Sequence, residues 1–272
     1  MRGAATAGKP VLTEGRPRHS RQEIRGLLLE MGRSILREEG PGTGAEVVTF
    51  KKAFERLENE TGIRLTNASV IRRVWENQAE FQADLLVAIA LDENQDEIDL
   101  TVGAVVPILT DADLTTVESR LAVMREACRV GGAANLQAMR QSENWPLWIS
   151  VWGLARNAQP VAQREKIRTA LVHGYDAFND RIEGAYRAIT EMLGFRLREG
   201  LTLRQFTIAA DCLGQGCGLR DQVDNTHMDG IIRATGPGGA PQEWTLFGIG
   251  FDSLVQQFFE IDPDWRPDAG GA

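Results

Sequence analysis

From Pro160 to about Leu197 an apolar or aromatic residue returns at every third or fourth position: Ile167, Leu171, Tyr175, Phe178, Ile182, Tyr186, Ile189 and Leu193. That period keeps one face of an α-helix apolar over more than 30 residues, a length no strand matches, so the chain is committed to a helical framework. The same signal recurs upstream. Ser20-Arg21-Gln22-Glu23 is a capping box, in which a hydroxyl and a carboxylate satisfy backbone donors at a helix start, and Ile24, Leu27, Leu28, Met31 and Ile35 follow on one face. Gly40-Pro41-Gly42 stops that run. Thr49 caps a second helix bearing Phe50, Ala53, Phe54 and Leu57, which ends before Gly62, where a left-handed turn is free of steric cost. Thr66 caps a third over 67 to 75, and Asn77 with Glu80 a fourth that carries Phe81, Leu85, Leu86 and Ile89 inward. Strand signals are too scattered to build a sheet. The expected class is all-α.

The third helix has two faces. Positions 71, 74, 75 and 78 fall on an apolar side, while Ser69, Arg72, Arg73 and Glu76 recur on another. Two arginines there either solvate a surface helix or enter a DNA groove. Helix, glycine turn and a helix with a polar outer face form the helix-turn-helix order, whose second helix lies in the major groove. With Trp75 ending that helix and Phe81 opening the apolar face of the next, the order of elements resembles the TetR-like (tetracycline-repressor-like) transcriptional regulators. Arg72 stands where that family has a Tyr, Gln78 where it has a Lys, and the turn after Gly62 is longer. The resemblance implies an N-terminal three-helix helix-turn-helix DNA-binding domain and a C-terminal helical ligand-binding and dimerisation domain. Thr66, Asn67, Ser69, Arg72 and Arg73 are then expected to meet bases or phosphates, with Lys51, Lys52 and Gln78 positioning the backbone. It also implies a homodimer, joined through helices at 160 to 197 and 203 to 220, on a palindromic double-stranded DNA operator, as a repressor released by a small apolar effector.

Charge divides with the same boundary. The formal net charge is −8, but residues 1 to 75 hold 14 Lys and Arg against 9 Glu and the remainder holds 16 against 29 acids. The basic share coincides with the helix-turn-helix, and phosphate neutralisation depends on local charge. We therefore divide the chain into a flexible basic arm (1 to 20), a DNA-binding domain (21 to 91) and an effector-binding and dimerisation domain (92 to 272). The arm either tracks DNA or frays. No run of about 18 apolar residues marks a membrane span and no apolar signal segment opens the chain, so a cytoplasmic location is expected. Cys128, Cys212 and Cys217 read as buried small apolar side chains.

In the C-terminal part, Asp111 is expected to cap a helix with Val117, Leu121 and Met124, and a separate helix to cover 133 to 142. Pro146 suits a first turn, and Trp145, Trp148 and Trp152 form a stripe that is either packed core or the wall of an apolar pocket. Met124, Trp145, Trp148, Trp152 and Phe178 are the candidate wall. His173 is either an interface residue or a ligand contact. Thr202-Leu203-Arg204-Gln205 is a further capping box, opening a helix with Phe206, Ala209, Ala210 and Leu213. Glycines 214, 216 and 218 read as helix termination, Gly236 to Gly239 as a linker, and 242 to 259 as a final helix that covers the pocket or braces the dimer. The three histidines lie far apart, without partners at the spacing of a metal or nucleophile site, so no catalytic residue, metal or cofactor is expected. The rival readings are a helical-bundle enzyme or hydrophobic-ligand carrier whose basic N-terminus is incidental, and a helical interaction adaptor that kept the fold but does not bind DNA.

Overall fold

Ser20, Thr49, Asn77, Thr116, Thr202 and Thr245 each hold extended backbone and accept, through the side chain, the amide of the third residue of the helix that follows. Each such cap contributes about 1 kcal/mol and fixes where its helix starts. The computed structural model describes residues 19–40, 45–66, 70, 74–91, 95–157, 161–234 and 239–266, without the side chains of 95, 96 and 157. Its helices are α1 (Arg21–Glu39), α2 (Phe50–Thr61), α3 (Gln78–Ala90), α4 (Gln95–Thr110), α5 (Val117–Gln141), α6 (Trp145–Asn157), α7 (Val161–Met192), α8 (Leu203–Val223) and α9 (Leu246–Phe258). The fold is all-helical apart from two small ladders. Antiparallel β1 (Phe195–Leu197) pairs with β4 (Phe259–Ile261), and β2 (Ile231–Ala234) with β3 (Pro241–Trp244).

Two apolar cores result. The first contains Leu28, Val48, Leu57, Val70, Phe81 and Leu85 from the N-terminal helices and runs on into Trp148, Val151 and Ile167 of α6 and α7. The second gathers Met124, Leu193, Phe206, Val255 and Phe259 from α5, α7, α8 and α9 and the strand ends. Glycines permit two close helix crossings. A Cβ on Gly174 of α7 would lie 2.4 Å from the Ala90 carbonyl oxygen at the end of α3, and one on Gly132 of α5 would lie 2.5 Å from the Gly248 Cα of α9.

Several expectations are corrected. Helix α5 is capped by Thr116, whose hydroxyl and Ser119 satisfy each other's backbone, whereas the Asp111 amide closes α4 on the Pro107 carbonyl. The helix at 133 to 142 is the second half of α5, because Gly131-Gly132 meets α9 instead of breaking the backbone. Helix α7 stops at Met192, where Gly194 turns left-handed at φ 69°, so 195 to 197 becomes a strand. Gly214, Gly216 and Gly218 lie inside α8, not at its end. A Cβ on Gly218 would lie 2.7 Å from the Met139 sulfur and 3.0 Å from the Trp145 ring, so α8 packs closely on α5 and the start of α6 at that glycine. Trp244 lies on β3, and the last helix starts after the Thr245 cap at Leu246. Cys212 is exposed, since it stands on the outer side of α8, while Cys128 and Cys217 are buried. Linker positions 236 to 238 lie outside the described residues, as do residues 1 to 18 of the basic arm.

Candidate functional site

At the N-terminal end, an aromatic cluster anchors the stretch between α2 and α3. Trp75 is buried, with ring centroids 4.8 Å from Phe81 and 6.2 Å from Phe50. Its indole N–H donates to Asp84 Oδ2 at 2.9 Å, and the same carboxylate accepts two bonds from the Arg25 guanidinium at 2.8 Å. An aromatic ring with one polar tip is thereby fixed in position as well as in depth. Val70 is fully buried, its amide bonds the Thr66 carbonyl, and the Val74 amide bonds the Val70 carbonyl, the spacing of α-helical turns. Asn67, Ser69, Arg72 and Arg73 lie outside the described residues.

Thr66 is exposed at the start of that stretch. Gln78, at the start of α3, accepts the Phe50 amide at 3.3 Å through its side-chain carbonyl, so the N-terminal ends of α2 and α3 are tied together. Lys51 is exposed on α2 and lies 3.8 Å from Glu55. Lys52 is engaged across to α1, with its ammonium 2.6 Å from Glu39. The N-terminal ends of α2 and α3 therefore lie side by side, each with its first-turn amide held by the Thr49 or Asn77 cap, and both helix dipoles favour an anion there.

The second feature is a cavity of about 160 Å³ enclosed by α4 to α9. Met124, Trp145, Trp148 and Phe178 lie in its wall. Trp152 and His173 do not. Trp152 stands at 39% exposure, edge-on to Trp148 and Tyr175, because one further turn of α6 carries it past the wall. His173 precedes Gly174, the residue pressed on Ala90, and points to solvent. The wall also takes Tyr186 from α7, Phe206 from α8 and Phe247 and Phe251 from α9, residues on apolar helix faces whose convergence the sequence does not show, and Val105 from α4, which the sequence reading missed.

Polar groups are few and specific. Asp211 accepts the Tyr175 hydroxyl at 2.8 Å and the Gln215 amide at 2.6 Å. Burial pushes the Asp211 carboxyl above the ordinary carboxylate range, and these two bonds pull it back. Burial, reinforced by the Asp211 carboxylate, likewise raises the Tyr186 hydroxyl, holding it neutral as a donor. The signal available in the sequence was a lone carboxylate amid the apolar residues Phe206, Ala210 and Leu213 of α8. Among the described residues no group of three or more His, Cys, Asp or Glu is arranged to hold a metal, and no helix is long and apolar enough to cross a membrane.

A third feature lies on the outside of α7 and α8. Ile208, Leu219 and Val223 are exposed along α8, with Cys212 on the same side and Val161 and Val172 exposed on α7.

No family model matches the chain, and no curated protein does either. Solved structures similar to it include the following two. One is a proposed transcriptional regulator from Saccharomonospora viridis in complex with choline, at 15% identity and a TM-score of 0.46, covering 88% of this chain and 99% of the other. The second is SmeT, the repressor of the Stenotrophomonas maltophilia multidrug efflux pump SmeDEF, at 15% identity and a TM-score of 0.41, covering 93% of this chain and 98% of the other.

Proposed function

We propose that the chain is a dimeric, TetR-like transcriptional regulator, a repressor that leaves a palindromic operator when a small molecule fills the cavity. The observation that carries this reading is the path of α7. It supplies Phe178 and Tyr186 to the cavity wall, and at Gly174 it presses on the last residue of α3. Helix α3 begins at the Gln78 tie to α2, beside the Trp75 anchor. A ligand that shifts α7 therefore displaces the N-terminal unit, provided it binds the two conformations unequally.

The exposed apolar residues of α7 and α8 supply the dimer face, and a twofold pair sets two N-terminal units against two half-sites. Thr66, Asn67, Ser69, Arg72 and Arg73 meet the groove, while Lys51, Lys52 and Gln78 steady the phosphates. Of these, Lys51 has the weaker internal partner and is the better phosphate ligand. The domain limits of 1 to 20, 21 to 91 and 92 to 272 are retained in this reading.

Selection of genomic fragments by the full chain, followed by sequencing, tests the DNA half. A recovered twofold-symmetric site supports it, and no enrichment at low salt contradicts it. Replacing Arg72 by Ala should then cost roughly 1 to 3 kcal/mol of binding and relax one base position if it reads guanine. A phosphate contact instead weakens all sequences alike.

A further inference from the structure

Resting on the reading of the cavity as an effector site, we propose that it takes a small organic cation, a quaternary or protonated amine on an apolar body, with its charge set against Asp211. The cavity wall holds two carboxylates, Glu97 and Asp211, and no Lys, Arg or His. Asp211 receives two hydrogen bonds but forms no ion pair among the described residues, so its charge has no internal counterion there. One turn earlier on the same face of α8 stands Thr207, 1% exposed, lining the cavity, with no hydrogen-bond partner for its hydroxyl. A threonine inside a helix ordinarily bonds the carbonyl one turn back. Thr190 does so, to Tyr186 at 2.8 Å, and Thr207 does not.

The aromatic wall completes the match. Trp145, Trp148 and Phe206 line the cavity, and the face of an aromatic ring attracts a cation once water is excluded. A neutral apolar ligand would dehydrate the Asp211 charge without compensating it, and an anion would be repelled by both carboxylates. Size restricts the class further. The volume of about 160 Å³ is close to the ~150 Å³ that admits a benzene ring in an engineered apolar cavity.

Calorimetric titration of the full chain with phenyltrimethylammonium, its neutral isostere tert-butylbenzene and the anion benzoate reads the claim directly. The cation is expected to bind about tenfold or more tightly than either analogue. Asp211→Asn should erase that preference, by weakening the cation and relieving the penalty on tert-butylbenzene, and Asp211→Glu should retain it. Equal affinity for cation and neutral isostere, a preference that survives Asp211→Asn, or no binding of any of the three overturns the proposal. Cation binding without any DNA enrichment would retire the regulator reading and leave this site standing. DNA enrichment without cation preference would do the reverse.

Discussion

Two aromatic clusters of this molecule differ in what fills them. Around Trp75 the rings of Phe50 and Phe81 stack 5.1 Å apart, Trp75 closes the gap, and Asp84 holds the indole. Around Phe206 the rings of Tyr186, Phe251 and Phe259 lie at similar spacings of 5.0 to 5.6 Å, yet they surround open space. Ring density alone therefore does not distinguish a wedge from a pocket. The difference lies in the polar groups: the N-terminal carboxylate is neutralised by an arginine, and the C-terminal one has only neutral donors. A filled, compensated cluster fixes a geometry, whereas a hollow, uncompensated one has the room and the charge that the proposed ligand would use.

The largest expected effect is at the filled cluster. Trp75→Ala should cost about 3 to 5 kcal/mol in chemical denaturation, because it removes a buried indole and strips Asp84 of a donor. Next comes the same enlargement made in both regions. Ala53, fully buried on α2, should resist replacement by Leu at about 1 to 3 kcal/mol, while Ala210→Leu in the cavity wall should cost under about 1 kcal/mol and block ligand uptake. Equal costs would erase the distinction between the regions.

A smaller effect concerns pH. Since burial raises the folded-state Asp211 carboxyl above its ordinary value, folding favours the protonated form. Its stabilising contribution is complete below the ordinary carboxylate range and is lost as pH rises through the raised folded value. Tyr175, Gln215 and Tyr186 are the groups facing it, and none carries a positive charge. Asp211→Asn should accordingly match the parent protein in acid and melt about 2 to 4 °C higher near neutrality. A variant that melts lower at neutral pH would mean that the carboxylate has a counterion after all. Smallest of all, Lys52→Ala should change stability by less than about 1 kcal/mol, as its pair with Glu39 is half-exposed.

Much of this fold was legible because it is written locally. Ser20, Thr49, Asn77 and Thr202 cap the helices that their side chains and spacing announce, and Gly62 is left-handed at φ 73°. What escaped was non-local. Helix α4 contains Pro107, which punctuates a period without ending it, and α5 contains Gly131-Gly132, whose purpose is visible only once Gly248 approaches from more than 100 residues away. The cavity shows the same limit. Met124, Trp145, Trp148 and Phe178 converge on it, but Trp152, which shares their helical period, does not, because periodicity assigns a face and not a depth. Asp211 and Thr207 needed coordinates, since neither carries a motif.

The central claim is that the cavity and the N-terminal unit are coupled through α7 and α3, and coupling of binding free energies is reciprocal. Titrating a selected DNA fragment with and without saturating phenyltrimethylammonium, and the cation with and without DNA, measures both directions. The account predicts that each ligand weakens the other by one common factor, about 5- to 150-fold. DNA affinity that stays unchanged with the cavity filled would contradict it.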